Sequence, residues 1–182
     1  MKKSKVASPS VASSLQAFEA QFVRPAAGRA LIVGSRIYGD REDRRARYPD
    51  AVGLDMLAGP GVDLVQDLEE GIPDGQFAHV DCLSVLEHSR RPWLLAANLE
   101  RLLLPGGTIF VSVPFCWPVH SYPSDYFRMT PEGLKSLFSC IEWGAVGLAA
   151  QELTFGAKLP RVQVDGFPHF PRCETVGFGR RA

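Results

Sequence analysis

Short apolar runs recur along the chain, separated by polar segments that contain glycine, proline or charged residues. Seven of these runs have the length of a strand, and they cover residues 30–33, 51–54, 62–65, 79–85, 108–113, 141–148 and 175–178. The early runs are almost continuously apolar, which is typical of strands buried on both faces of a parallel sheet. Helical periodicity fills several of the gaps between them. This alternation predicts an α/β fold, a Rossmann-like doubly wound sheet with mainly parallel strands.

Three helices are predicted from the spacing of apolar residues. Leu15, Phe18 and Phe22 lie at i, i+3 and i+7, on one face of a short helix. Two further helices are predicted at 92–104 and 131–138, the second capped by Thr130, and each has a proline at its first position, where the missing amide costs nothing. The triplet at 105–107, Pro-Gly-Gly, is expected to end the first of these two.

The chain has 182 residues, 46% of them hydrophobic, which is enough for one hydrophobic core. Residues 1–13 are rich in serine, alanine and lysine and are predicted to be a flexible tail. Residues 14–182 show neither an internal repeat nor an interdomain linker, and we predict that they form a single domain. The charged segment 40–48 is compatible with a helix, and its run 40–45 is expected to form a solvated face of that helix.

Twenty basic residues balance 20 acidic ones, so the formal net charge is zero. Binding nucleic acid normally requires a basic surplus, and this balance favours a small-molecule or protein partner instead. No run of 18 apolar residues predicts a membrane span, and no apolar segment follows the N-terminal lysines as a secretion signal would require. We expect a soluble, cytoplasmic protein that binds neither nucleic acid nor membrane, and the oligomeric state stays open.

Polar or glycine residues follow the first three apolar runs. Gly34 ends the first run, Asp55 follows the second and Asp67 the third. Ligands of doubly wound sheets bind at the carboxyl ends of the strands, and an acidic residue about 20 positions after the glycine is expected to accept ribose hydroxyls. Asp67 is placed to meet an adenine amino group or to cap a helix. Arg36 stands where a GxGxxG motif has its second glycine, which disfavours a nicotinamide-dependent oxidoreductase.

The ordered motifs resemble those of class I S-adenosylmethionine-dependent methyltransferases. The strongest parts are Ser-Val-Leu-Glu-His at 84–88 and Arg-Leu-Leu-Leu-Pro-Gly-Gly at 101–107, which are similar to a signature of the small-molecule branch. The resemblance extends from about residue 30 to residue 138. The segment 120–130 is similar to a subgroup associated with polysaccharide and secondary-metabolite pathways. The resemblance implies a seven-stranded sheet with a C-terminal antiparallel hairpin, and S-adenosylmethionine as cofactor.

The resemblance also assigns roles to individual residues. The implied cofactor-binding set is Gly34, Ser35, Asp55, Met56, Asp67, Leu68, Cys82 and Ser84. Within this set, Gly34 would face the methionine part, Asp55 the ribose, Asp67 and Leu68 the adenine, and residues 82–84 the sulfonium. The implied reaction is methyl transfer to a small molecule, such as a sugar or a natural-product intermediate.

A base is needed only if the acceptor must lose a proton. His88, His120 and Asp125 are the candidates, although His88 could instead orient the turn before the next helix and His120 could be an ordinary loop residue. The chain contains no CxxC motif, and His79, Asp81 and His88 lack a spacing that places them on one face, so no metal site is predicted.

The chain also departs from the family pattern at several positions. Ile32 replaces an acidic residue, Arg36 and Tyr38 replace glycines, and Ala78 replaces an aspartate. These departures motivate the alternative of a catalytically inactive relative that binds a partner protein.

Overall fold

The computed structural model describes residues 10–12, 14–120, 123–150 and 172–182. Within them the chain forms, in order, β1 (Ser10–Ala12), α1 (Leu15–Phe22), β2 (Ala30–Val33), β3 (Ala51–Asp55), β4 (Leu64–Val65), β5 (Phe77–Leu83), α2 (Pro92–Leu102), β6 (Leu103–Cys116), α3 (Pro131–Leu137), β7 (Ile141–Ala150) and β8 (Cys173–Arg181). Two short 3-10 helices, Arg44–Arg47 and Leu86–His88, lie in the connections after β2 and β5. None of the helices described is long and apolar enough to cross a bilayer.

The strands form one sheet in the order β1-β7-β8-β6-β5-β2-β3-β4. Neighbouring strands are parallel except for β8, which is antiparallel to both β6 and β7. The seven predicted strands and the C-terminal antiparallel pair are therefore confirmed. The chain runs outward from β2 to β3 and β4, and then returns to place β5 on the other side of β2. This change of direction is the switch point at which doubly wound sheets bind ligands.

Helices cover both faces of the sheet, and alternate residues of β6 show this. Ile109 and Val111 belong to a buried cluster that includes Leu95 and Leu99 of α2. Phe110, between them, points to the opposite face, into a second cluster with Phe18 of α1. Successive side chains of a strand point to opposite faces, so the unbroken apolar run 109–111 serves both layers of the core.

Three local features differ from the sequence prediction. β1 lies within the segment predicted as a flexible tail and pairs in parallel with β7, whereas residues 1–9 lie outside the described residues. The predicted strand 62–65 is reduced to Leu64–Val65. α2 ends at Leu102, and β6 begins at the next residue and contains the Pro-Gly-Gly triplet. The pairing of β5 with β6 shifts register there, and Gly106 has a φ of 74°.

A buried ion-pair cluster connects α1, the 3-10 helix 44–47 and β5. Arg44 Nη2 lies 2.9 Å from Glu19 Oε1 and 2.6 Å from Asp81 Oδ2. Tyr48 donates a further hydrogen bond to Asp81 Oδ2 at 3.0 Å. The side chain of Asp81 is only 1% exposed, so Arg44 supplies the charge that this buried carboxylate requires. The segment 40–48 is thus not a uniformly solvated face.

Candidate functional site

A cleft of about 210 Å³ lies at the carboxyl ends of β2, β3, β4 and β5. It occupies the switch point in strand order, where this architecture predicts ligand binding. Seven of the eleven site residues predicted from the sequence line it, namely Gly34, Asp55, Met56, Asp67, Leu68, Ser84 and His88. These residues follow four different strands, and the parallel pairing of the strands brings them together.

Gly34 makes the tight turn that closes one side of the cleft. Its φ of +70° lies in the left-handed region, and a Cβ atom there would lie 2.6 Å from Val85 Cγ2. The amides of Gly34 and Ser35 both donate to the carbonyl of Leu54, at 2.9 and 3.1 Å. This position therefore requires glycine, both for the backbone conformation and for the close approach of Val85.

The two predicted carboxylates hold the backbone of the cleft wall. Asp55 accepts hydrogen bonds from the amide of Arg36 at 3.3 Å and from the amide of Leu57 at 2.9 Å. Asp67 accepts one from the amide of Glu69 at 2.8 Å. Each carboxylate oxygen has two lone pairs, so both groups keep acceptor capacity for hydroxyl or amino donors of a ligand.

Ser84 directly follows β5 and has a φ of 54°. This is the only positive φ of a non-glycine residue in the part of the chain that the structure describes. Strained backbone of this kind persists only where the surrounding structure holds it in place, and it is concentrated at ligand and active sites. The amide of Ser84 donates to the carbonyl of Ser112 at 3.0 Å, which connects this turn to β6. Ser84 thus lies at the cleft in a conformation that its own side chain does not favour.

Two predicted cofactor residues do not reach the cleft. Cys82 is fully buried in the hydrophobic core, and this burial raises the pKa of its thiol. Ser35 lies behind Gly34, where a Cβ built on Gly53 would be 2.7 Å from its hydroxyl oxygen. That oxygen is buried and has no hydrogen-bond partner among the described residues.

The three predicted catalytic residues meet beside the cleft. His88 ends the 3-10 helix 86–88, and its Nδ1 lies 2.6 Å from the carbonyl oxygen of Ser124. Its Nε2 lies 3.3 Å from Nε2 of His120, and the two rings are perpendicular. The amide of Tyr126 donates to the carbonyl of Glu87 at 2.7 Å, which fixes the loop that contains Ser124 and Asp125 against this helix.

Asp125 supports His120 but is unsuited to accept a proton. Its carboxylate, 2% exposed, forms a two-point ion pair with Arg128, whose hydrogen bonds lower the pKa of Asp125 to about 2. Asp125 Oδ2 accepts a hydrogen bond from the His120 amide at 2.9 Å and lies 3.1 Å from His120 Nδ1, although that second contact is poorly aligned. The structure therefore gives Asp125 a positioning role.

Glu87, which the sequence analysis did not select, belongs to the same cluster. Its side chain is 0% exposed, and neither carboxylate oxygen has a hydrogen-bond partner in the described residues. Desolvation by burial raises the pKa of Glu87 to about 8. Its place in the motif at 84–88 was the available signal, because that motif is among the strongest parts of the family resemblance.

No protein-family profile and no curated protein matches the chain. Among solved structures, the chain is similar to Burkholderia thailandensis 1,6-didemethyltoxoflavin-N1-methyltransferase, with a TM-score of 0.60 and 16% identity over 91% of this chain and 75% of that one. That enzyme was solved with 1,6-didemethyltoxoflavin and S-adenosylhomocysteine bound. N-methyltransferase NodS from Bradyrhizobium japonicum, in complex with S-adenosylhomocysteine, gives a TM-score of 0.55 and 9% identity over 86% of this chain and 79% of that one.

Phosphoethanolamine N-methyltransferase 2 from Haemonchus contortus, in complex with S-adenosylmethionine, gives a TM-score of 0.57 and 13% identity. The match covers 90% of this chain and 51% of that one. The chain has the class I S-adenosylmethionine-dependent methyltransferase fold. The methyltransferase fold predicted from the motifs is thereby confirmed, with β1 as an additional edge strand.

Proposed function

We propose that this protein transfers a methyl group from S-adenosylmethionine to a small-molecule acceptor, such as a sugar or a natural-product intermediate. The main support for the proposal is the set of side chains that line the cleft at the switch point of the fold. Carboxylates with free acceptor capacity line one part of it, and an imidazole lines another. The neighbours solved with S-adenosylmethionine or S-adenosylhomocysteine support the choice of cofactor.

The residues of the cleft fit the cofactor. Asp55 would accept hydrogen bonds from the ribose hydroxyls, and Asp67 with Leu68 would contact the adenine. Gly34 and Ser84, which adjoin at the ends of β2 and β5, would lie beside the methionine part. A loop carboxylate that already holds the backbone is preorganised for such bonds, since little conformational entropy is lost when the ligand arrives.

Arg36, which stands in place of a glycine of the family pattern, forms part of the cleft wall. Its guanidinium lies over the ring of Tyr38, 5.0 Å from the ring centre, and its side chain packs on Gly59. The cleft therefore accommodates this side chain by placing it along one side. A cationic group at this position could also pair with the carboxylate of a bound amino-acid group.

S-adenosylmethionine, when bound, supplies an activated methyl group, so transfer depends mainly on how the protein positions the acceptor. Of the three predicted catalytic residues, His88 is the one that lines the cleft. Desolvation lowers the pKa of His88, which favours the neutral imidazole at neutral pH. The hydrogen bond from Nδ1 to the carbonyl of Ser124 leaves the lone pair on Nε2, and an acceptor hydroxyl or amine would bind it in place of the 3.3 Å contact with His120 Nε2.

Calorimetric titration with S-adenosylhomocysteine tests the proposal directly. Asp55→Ala should weaken binding by about 1–3 kcal/mol, because it removes charge-assisted hydrogen bonds. Asp74→Ala, which changes an exposed carboxylate outside the cleft, should leave the affinity unchanged. If a folded wild-type protein binds neither S-adenosylmethionine nor S-adenosylhomocysteine at millimolar concentration, the proposal is wrong and the non-catalytic alternative takes its place. Unchanged affinity in Asp55→Ala would make Asp55 purely structural.

A further inference from the structure

Three side chains that can act as metal ligands converge beside the cleft. Glu87, His88 and His120 each offer one ligand atom, and these atoms all lie within 4.8 Å of one another. We propose that these three side chains bind a divalent transition-metal cation, with Zn²⁺ as the best-matched ion.

The surroundings of the two histidine rings leave the same ring atom, Nε2, facing the cluster. The carbonyl oxygen of Ser124 can only accept, so His88 Nδ1 must carry the proton and Nε2 must hold the lone pair. His120 Nδ1 lies 3.1 Å from the carboxylate of Asp125, so the proton of that ring can also reside on Nδ1. The two Nε2 atoms lie 3.3 Å apart, and with both protons on Nδ1 a cation between them would bind both.

Glu87 supplies the second, independent observation. Its carboxylate is fully buried without a hydrogen-bond partner in the described residues, and Oε1 lies 3.7 Å from His88 Nε2. A buried, unpartnered acceptor normally has an unseen partner such as an ion. No basic side chain donates to this carboxyl group in the described part of the chain, and a metal cation would displace its proton and bind the carboxylate.

The separations suit Zn²⁺ in particular. Nitrogen and oxygen ligands about 2.0–2.1 Å from a tetrahedral zinc ion are roughly 3.3–3.5 Å apart, close to the separations of His88 Nε2 from its two neighbours. Two imidazoles and one carboxylate form a donor set of catalytic zinc sites, which keep a fourth position open. Calcium and magnesium, by contrast, prefer sites made only of oxygen ligands.

The surroundings of the cluster have the features of an outer coordination shell. Metal-bound histidines usually donate their other nitrogen to a carbonyl or a carboxylate, which fixes the orientation of the ring. Here the carbonyl oxygen of Ser124 accepts the hydrogen bond from His88 Nδ1, and the carboxylate of Asp125 lies beside His120. Arg128 holds Asp125 in place from the far side. Both ligand loops are therefore positioned before any ion binds.

The open coordination position would have access to the cleft, because His88 lines it. A hydroxyl bound to the ion would lose its proton more readily, since a cation lowers the pKa of a coordinated oxygen. This use of the ion for acceptor activation rests on the proposed function, whereas the metal site itself does not.

Titration of the full-length, chelator-treated protein with Zn²⁺ tests the site. We expect one equivalent to bind with micromolar or tighter affinity, and Glu87→Gln, His88→Gln and His120→Gln each to weaken binding at least tenfold. Asp125→Asn should weaken binding by about 10–100-fold through loss of ring orientation. The matched control is His79→Gln, which changes a buried histidine outside the cluster and should bind as the wild type does.

Absorption spectra of the Co²⁺-substituted protein identify the ligands. Nitrogen and oxygen ligands give weak visible bands, whereas thiolates from the free cysteines would add an intense charge-transfer band. Absence of stoichiometric binding, a thiolate band, or unchanged affinity in His120→Gln would overturn the proposal. His120 is 38% exposed in a loop, so this variant should fold normally, and metal-free thermal unfolding verifies that.

Calorimetry with S-adenosylhomocysteine on the same metal-free samples separates the two proposals. If zinc fails to bind while the adenosyl ligand binds, the metal site is wrong and the proposed function stands. If zinc binds and the adenosyl ligand does not, the metal site stands without the methyltransferase activity.

Discussion

His79 shows how a single buried side chain can connect stability to pH. It lies on β5 at 0% exposure, with Nδ1 2.9 Å from Thr108 Oγ1 and Nε2 3.2 Å from the hydroxyl of Tyr48. Desolvation lowers the pKa of His79 from 6.5 to about 4, and the positive charge of Arg44 acts in the same direction. The ring is therefore neutral in the folded protein at any pH near neutrality.

We predict that protonation of His79 destabilises the fold as the pH falls. Between about pH 6.5 and pH 4 the unfolded chain binds a proton that the folded chain does not, so stability decreases with acidification, by up to roughly 3 kcal/mol. His79→Gln should remove this contribution and flatten the curve in that window. Urea unfolding of both proteins at several pH values measures it, and parallel curves would contradict the prediction.

The sequence could predict a site residue only where that residue lies at the end of a predicted strand, because the sheet then fixes its location. Gly34, Asp55 and Asp67 end neighbouring parallel strands, and strand order alone brings them to one edge. Cys82 is near that edge in sequence, but it lies within β5 and its side chain faces the core.

Contacts between distant loops leave no periodic signal in the sequence. Glu87 and His88 lie 32 or more residues before His120, and the backbone hydrogen bond from Tyr126 to Glu87 holds the later loop against them. The contacts of Arg44 could not be predicted for the same reason. Its partner Asp81 is 37 residues away, and Arg44 itself lies in a charged segment whose composition predicts exposure to solvent.

At the scale of elements, α1 covers the sheet face opposite α2. Phe18, fully buried, stacks on Phe110 with ring centres 6.1 Å apart and contacts Phe22 at 4.8 Å. Ser14 caps the helix by accepting a hydrogen bond from Ala17 at 3.0 Å. None of its residues lines the cleft, and its buried face packs on the sheet.

We predict that Phe18→Ala lowers the free energy of unfolding by about 3–5 kcal/mol, since it leaves a cavity between α1 and β6. Gln21→Ala, at an exposed position of the same helix, should change it by less than about 0.5 kcal/mol. Urea unfolding measures both values. A loss below 1 kcal/mol for Phe18→Ala would mean that α1 contributes little to the core.

The elements that the sequence predicted well are those with a strong internal pattern. α3 begins at Pro131 with Thr130 as its cap, as expected, because both signals are local. β1 has three residues and no apolar pattern of its own, so only its pairing with β7 makes it a strand. The end of α2 was misplaced by two residues, because leucines at 103 and 104 continue the helical periodicity while pairing with β5 draws them into β6.

At the scale of the whole molecule, ligand binding at the sheet edge should stabilise the entire fold. A ligand at 100 times its dissociation constant adds about 2.7 kcal/mol, which corresponds to a rise of roughly 5–10 °C in the unfolding temperature of a chain this long. We expect this shift with S-adenosylhomocysteine in scanning calorimetry, and a smaller one for Asp55→Ala at the same concentration. No shift at saturating ligand would contradict binding to the native state.

The two ends of the sheet are formed by its shortest strands. β4 contributes two residues and β1 three, whereas the central β6 has fourteen. A sheet edge exposes unpaired amide and carbonyl groups that can recruit a strand from another molecule, and short edge strands offer few of them. The strands β8, β6, β5 and β2 lie inside the sheet between two neighbours, whereas β7 pairs with β1 only at residues 147–149. For a protein without net charge, and hence without mutual repulsion between copies, the outer side of β7 at residues 141–146 is therefore the longest edge of the described sheet that another strand could pair with.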